Sequence, residues 1–404
     1  MLKRDLYLKR IEMYVGRDVV KLITGVRRCG KTTIIHQLID EMKEGGVPEE
    51  NILYLNFESL LYSYFRASQD LMEMLSEFLN SMQGHSYVFL DELPDIKGWA
   101  LVLSQLMERY DCEFFVISSN QQIFGDDFAK ALSYRYVRIE VYPLVFSEYL
   151  ELARTDELLA GCTQEELFAD FRRRGTMPAV YDMHCGDSAR QIYLCDTYRA
   201  ILLKDVVECH KLRDIAHIDK IMHFILGHIG ETFSPKTIRD YVKAQGVTIS
   251  VDTVYSFLSA LMDSGLIYRV PRYDIKNDKP LETQEKYYIC DLGMRDAAFG
   301  TSELSTKAAM ENILYMELLS RGFKVYVGKQ GRHQIDFMAV KQEDRTYLNC
   351  CETIEDKEAV KQAFQPLVKI RDNYFKMVLS LDPETKINKG GIINCPLLQF
   401  LMQG

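Results

Sequence analysis

The sequence predicts an α/β chain: a parallel-sheet, phosphate-binding core, then a helical segment, a winged-helix domain and a nuclease-like α/β domain. Three observations carry this. Gly25-Val26-Arg27-Arg28-Cys29-Gly30-Lys31-Thr32 fits G-x-x-x-x-G-K-[ST]. It stands between a β-branched run, residues 19–24, and a stretch with apolar side chains at Ile34, Ile35, Leu38, Ile39 and Met42, which is helical spacing. Tyr87-Val88-Phe89-Leu90-Asp91-Glu92 is an apolar run ending in two acids, the pattern of a buried parallel strand whose C-terminal end meets a ligand. Beyond residue 217, three helical patterns and a short ribbon give way to a strand, a helix, three strands, a helix and a strand.

Each residue type in the loop has a chemical reason. Gly25 and Gly30 let the backbone turn and approach an anion with no Cβ in the way. The N–H groups of the loop, through Arg27, Arg28, Cys29 and Gly30, and the helix N-terminus with Thr33 in its first turn, are expected to point at phosphate oxygens. Lys31 supplies a mobile positive charge for the β- and γ-phosphates, and the Thr32 hydroxyl takes one position on Mg²⁺. Asp91 is expected to hold Mg²⁺ through water, and Glu92 to orient and activate the attacking water. ATP and Mg²⁺ are the ligands this set predicts.

The other elements follow in order. Residues 1–18, amphipathic through Leu6, Leu8, Ile11 and Val15, predict a helix beside the nucleotide site. Residues 51–57 predict a second strand, with Glu58 at its end either facing phosphates or solvated; residues 68–82 predict a helix. The strand over 113–119 ends in Ser118-Ser119-Asn120, where Asn120 reads as a γ-phosphate sensor or as a polar strand cap. Arg135 precedes the strand at 137–141. It reads as an arginine finger, in cis or from a neighbouring subunit, or as a surface arginine. The core thus spans residues 1–146, and residues 147–214 read as a helical lid and linker. Residues 215–284 read as a winged helix whose third helix shows Asp252, Ser256, Ser259 and Asp263 rather than lysine or arginine. That favours a protein-contact or structural role over DNA.

Residues 285–404 place Glu311 on a helix and Asp336 on a strand, the first two acidic positions of a PD-(D/E)xK nuclease core. The strand that should supply E-x-K reads Asn349-Cys350-Cys351. Glu352, one residue later, is expected on the other face, because strand side chains alternate. Two acids without the lysine make a poor two-metal site, so an inactive nuclease-like module is the expectation.

Composition bounds the rest. A chain of 404 residues, 47% hydrophobic and 26% charged, is globular and long enough for two or three domains. No apolar run spans a bilayer, and Met1-Leu2-Lys3-Arg4-Asp5 has no apolar signal core behind it, which predicts the cytoplasm. The 10 cysteines form no C-x-x-C pair, so reduced, packed thiols are expected rather than a zinc site. A net charge of −9 argues against a chain that coats nucleic acid non-specifically.

With these motifs in order, the chain resembles the prokaryotic AAA-type ATP-binding proteins of the AAA_14 plus DUF4143 architecture. Besides the loop, the resemblance rests on Phe89-Leu90-Asp91-Glu92, Ser119-Asn120, Tyr142-Pro143-Leu144-Val145-Phe146-Ser147-Glu148-Tyr149 and Lys204-Asp205-Val206-Val207. It continues through Tyr287-Tyr288-Ile289-Cys290-Asp291-Leu292-Gly293, Glu311-Asn312 and Ile335-Asp336-Phe337. It implies a P-loop NTPase core of AAA type, ATP binding and hydrolysis, and a nuclease-like tail short of its full metal site. Two departures stand out: Ile117-Ser118-Ser119 where the family carries Thr-Gly-Ser, and Gln334-Ile335-Asp336 where it carries Glu-Ile-Asp. The function expected is an ATP- and Mg²⁺-dependent switch. Two alternatives are an ATP-gated DNA-processing enzyme and a nucleotide-binding interaction protein that does not hydrolyse. A DNA or protein partner, and the oligomeric state, are open at this point.

Overall fold

In residues 1–141 with 263–265, one of two units of the chain, the apolar runs of the sequence become a five-stranded parallel sheet. The computed structural model describes residues 2–62, 67–93, 96–156, 159, 161–183, 186–212, 215–300, 304–355, 357–384 and 388–403. The elements of the first unit are α1 (Asp5–Glu12), β1 (Val20–Thr24), α2 (Lys31–Glu44), β2 (Ile52–Asn56), α3 (Ser68–Ser81), β3 (Ser86–Asp91), α4 (Trp99–Arg109), β4 (Cys112–Ser118), α5 (Asp126–Ala131) and β5 (Tyr136–Glu140).

The strand order is β2-β3-β4-β1-β5, with every pairing parallel. β1 and β4 are buried at every position, as strands covered on both faces should be. Leu71 and Leu75 of α3 and Leu103 of α4 pack on Leu22, Val88, Leu90 and Val116 of the sheet; burying each such side chain contributes about 1.5–3 kcal/mol. Because β4 lies between β1 and β3, the ends of those three strands are neighbours. That edge carries the glycine loop, Asp91-Glu92 and Ser118-Ser119-Asn120 together. Parallel α/β sheets bind ligands at this edge.

The second unit comprises residues 142–262 and 266–404. Its helical part holds α6 (Phe146–Ala153), α7 (Gln164–Arg174), α8 (Ala179–Asp182), α9 (Asp187–Ala200), a π-helical segment Ile201–Glu208 that continues α9, and α10 (Ile215–Gly227). Next come β6 (Thr232–Phe233), α11 (Pro235–Ala244), α12 (Val251–Asp263), β7 (Ile267–Asp274), β8 (Lys279–Ile289), α13 (Leu292–Phe299) and α14 (Thr306–Ser320). Ser234 caps α11, its hydroxyl accepting from Thr237 N at 3.3 Å, with Pro235 in the first turn, as the sequence pattern predicts. The chain ends with β9 (Lys324–Gln330), β10 (His333–Lys341), β11 (Asp344–Cys350), α15 (Lys357–Val368), β12 (Phe375–Ser380), β13 (Asn388–Lys389), β14 (Ile392–Pro396) and α16 (Leu397–Met402).

The boundary expected between residues 284 and 285 falls inside β8. The β7–β8 ribbon does not stop at its own edge. Arg272, Tyr273 and Asp274 of β7 pair in parallel with Val327, Gly328 and Lys329 of β9. One nine-stranded sheet, β13-β14-β12-β11-β10-β9-β7-β8-β6, therefore runs through both segments. Among the described residues no helix is long and apolar enough to cross a membrane.

Candidate nucleotide site

The loop between β1 and α2 is shaped by its backbone. Gly25 has φ +148°, and a Cβ there would come within 2.1 Å of the Val141 carbonyl oxygen, so no other residue fits without moving β5's neighbour. Arg28 and Gly30 also have positive φ, 67° and 101°. Left-handed residues alternating with ordinary ones turn successive N–H groups to one side, which makes a concavity for anions. Cys29 departs from expectation. Its side chain is fully buried, with Sγ 3.3 Å from the Val141 carbonyl, and its N–H donates to Val26 O at 3.2 Å. Both its polar groups shape the loop here rather than face a ligand.

Lys31 opens α2, and its ammonium folds back to donate to the carbonyls of Gly25 (3.0 Å) and Val26 (3.3 Å), 3.6 Å from Glu92 Oε1. Thr33 is half-buried in the first turn of α2. Arg27 reaches across the loop mouth to form an ion pair with Glu58, which gives Glu58 a role among the loop's own charges.

Asp91, at the end of β3, is 1% exposed. Thr32 Oγ1 and Tyr54 Oη both donate to its Oδ2, each at 2.7 Å. Its Oδ1 is buried with no hydrogen-bond partner. Burial pushes the Asp91 carboxyl above the usual carboxylate range, while the Tyr54 and Thr32 hydroxyls pull it the other way. A hydroxyl and a carboxylate with an unsatisfied buried oxygen are hard oxygen donors of the kind Mg²⁺ takes. Among the described residues no group of three or more His, Cys, Asp or Glu could enclose a metal.

Glu92 sits at φ 50°, a left-handed conformation that costs a non-glycine residue about 1 kcal/mol or more. Its Oε2 accepts from Ser119 N (3.0 Å) and Ser119 Oγ (2.9 Å). Asn120 follows β4 on the same sheet edge, its N–H donating to Ser118 Oγ at 3.0 Å. Ser119 as the Glu92 partner and Tyr54 as an Asp91 partner are what sequence reasoning missed. The alternation that puts Tyr54 on the face of Asn56, beside the acid-bearing strand, was the available signal.

Arg135 is a correction. It lies just before β5, at the N-terminal ends of the strands, where Tyr136 pairs with Val20. Its guanidinium bonds to Asp18 (3.1 Å) and approaches Glu108 (3.7 Å). The loop is at the other end of β1, so Arg135 does not serve the site of its own chain.

The second unit brings Glu311 and Asp336 together and places two lysines between them. Lys286 Nζ lies 2.6 Å from Glu311 and 3.6 Å from Asp336; Lys307 Nζ lies 3.1 Å from Asp336 and 3.6 Å from Glu311. Tyr288 Oη donates to Glu311 at 2.7 Å, and Cys350 N to Asp336 at 2.9 Å. Burial raises the Glu311 carboxyl, whereas Lys286 and Lys307 overcome burial at Asp336 and hold it below the usual range. Glu352, expected on the other face, shares with Asp336 and Lys307 the lining of a cleft of about 280 Å³. It lies beyond the end of β11, where strand alternation no longer applies.

Two family models match the chain: an AAA domain, AAA_14, over residues 17–150, and a domain of unknown function, DUF8612, over residues 165–305. The DUF4143 architecture that the motifs resemble, expected over residues 285–404, is not shown; DUF8612 is found instead, over most of the segments expected as lid and winged helix. An uncharacterized protein of Haemophilus influenzae is 30% identical over 380 residues, 94% of this chain and 93% of that protein. An uncharacterized protein of Methanocaldococcus jannaschii is 24% identical over 379 residues, 91% of this chain and 82% of its own. Among solved structures, a Walker-type ATPase of Pyrococcus abyssi superimposes with a TM-score of 0.52 at 14% identity, covering 74% of this chain and 96% of that one. At that identity the likeness is one of fold.

Proposed function

The chain belongs to the same family as the Haemophilus influenzae protein, one built on an AAA domain, and on that premise we propose that it is an ATP- and Mg²⁺-dependent P-loop ATPase working as a nucleotide-driven switch. The observation that carries this reading is that Lys31 approaches Glu92 and Thr32 bonds Asp91 at one sheet edge, with Asp91 Oδ1 buried and unpartnered.

The loop N–H groups and the N-terminus of α2 receive the phosphates of ATP. Lys31 then exchanges the carbonyls of Gly25 and Val26 for phosphate oxygens, a charge-assisted bond stronger than the neutral ones it leaves. Thr32 through its hydroxyl, and Asp91 through water, would hold Mg²⁺, which when bound neutralises charge on the β- and γ-phosphates. Glu92 orients the attacking water and takes its proton; to do so its carboxylate gives up part of its contact with Ser119. Asn120 is read as the γ-phosphate sensor. Arg135 counts as an arginine finger only when a second copy of the chain presents it.

Residues 142–404 are read as the part that responds to nucleotide state: a helical lid at 147–214, a winged helix at 215–284 and a nuclease-like tail that does not cleave. The two ammonium groups between Glu311 and Asp336 support the last point. They occupy the place of the divalent cations that two-metal cleavage requires. Asp252, Ser256, Ser259 and Asp263 on α12 favour a protein partner over DNA.

Phosphate release from ATP and Mg²⁺, with and without duplex DNA, tests the proposal. Turnover is expected in the intact chain and absent in Lys31→Ala. A second reading, a switch that binds ATP without hydrolysing it alone, is favoured by the two hydrogen bonds that Ser119 makes to Glu92. ATP binding with no phosphate release would select it.

A further inference from the structure

Two hydroxyls converge on one oxygen of Asp91 and leave the other bare. One belongs to Thr32, already part of the loop. The other belongs to Tyr54, on the neighbouring strand β2, where the register sets Tyr54 opposite Phe89 and Asn56 opposite Asp91. The Tyr54 ring is held from its other side by His36 of α2, the centroids 4.7 Å apart and the planes tilted by 50°. A tyrosine has two side-chain torsions. With the ring packed and the hydroxyl bonded, both are constrained.

We infer that Tyr54 is a positioning residue for the metal: it fixes the Asp91 carboxylate so that Oδ1 stays bare for the ion and its water. This rests on the ATP–Mg²⁺ reading of the same site. The terminal torsion of an aspartate is broad and nearly two-fold, so a carboxylate with a single donor exchanges its two oxygens easily. Two donors on the same oxygen, one from β2 and one from α2, select one orientation. Thr32 alone is one donor on one oxygen, and on the same reading its hydroxyl oxygen is also turned to the ion. Hydrogen bonds behind a ligating carboxylate are worth about 10–100-fold in metal affinity.

The test uses the full chain with Mn²⁺ as the probe. Free Mn²⁺ is titrated by electron paramagnetic resonance in the presence of ADP, and ADP binding is measured separately in chelator. Tyr54→Phe keeps the ring against His36 and removes only the hydroxyl. It is expected to weaken Mn²⁺ binding by about tenfold, while metal-free ADP binding and the melting temperature stay as in the wild type. A role in packing alone predicts the reverse: Mn²⁺ affinity unchanged in Tyr54→Phe and lost stability in Tyr54→Leu. Mn²⁺ binding that drops in Asp91→Asn but stays within about twofold of wild type in Tyr54→Phe overturns the inference and leaves the nucleotide reading standing. Mn²⁺ binding indifferent to Asp91→Asn, with ADP binding indifferent to Lys31→Ala, overturns both.

Discussion

Lys31 and Glu92 are both held by the protein's own polar groups, and the proposed hydrolysis would ask each to let go. Lys31 would leave two carbonyls for phosphate oxygens, since ionic hydrogen bonds are roughly twice as strong as neutral ones. Glu92 is different: Ser119 grips the same carboxylate that should meet water. Glu92→Gln keeps the size and the acceptor oxygen and removes the basicity. It is expected to bind ATP as the wild type does and to lower kcat by about 10²–10⁴-fold, checked by single-turnover phosphate release. Normal turnover in that variant would remove Glu92 from the chemistry. The loop residues were legible in the sequence because local backbone demands set them; Gly25 is glycine since a Cβ would strike Val141 O. Ser119 and Tyr54 were not read, because alternation gives the face of Tyr54 but strand pairing and register choose the partners. Arg135 misled for the same reason: its distance from the loop depends on β5 pairing parallel to β1, which puts the start of β5 at the edge opposite the loop.

At the scale of elements, α14, β8 and β10 meet over the cluster of Glu311, Lys286 and Asp336. The helix and the strands were legible from their periodicities, and so was the missing E-x-K. The lysines were not, since sheet pairing decides which strand lies beside the helix, and nothing local shows that Lys286 of β8 faces Glu311. Lys286 is 1% exposed, so its removal leaves two buried carboxylates with only Lys307 to balance them. Breaking a buried ion pair this way costs about 3–5 kcal/mol. Lys286→Met should lower the urea midpoint accordingly, and the intact chain with Mg²⁺ or Mn²⁺ should leave duplex DNA uncut. Cutting that disappears in Asp336→Ala would show instead that the ammonium groups yield to metal.

Several tyrosines of the molecule lie deep. Burial is the main cause that holds the hydroxyls of Tyr181, Tyr198, Tyr287 and Tyr288 above the ordinary value of 10. In the unfolded chain these groups lose their protons near pH 10; in the folded chain they keep them. Above that pH the unfolded state therefore binds fewer protons, and stability falls as pH rises. Unfolding followed by circular dichroism should coincide with the last step of the rise in tyrosinate absorbance beyond about pH 10, the step due to these buried groups. Complete tyrosinate formation in a chain that stays folded would contradict this. The α/β class and most strands of the second unit were readable from residue patterns, but the continuity of its sheet was not. It rests on β7 pairing with β9 across more than fifty intervening residues. That continuity bears on descent. A genetic crossover at the apparent seam would hand each offspring half of β8, with β6 and β7 stripped of a shared neighbour. A break there leaves backbone donors and acceptors of both pieces unpaired, so ribbon and tail fold as one sheet or not at all.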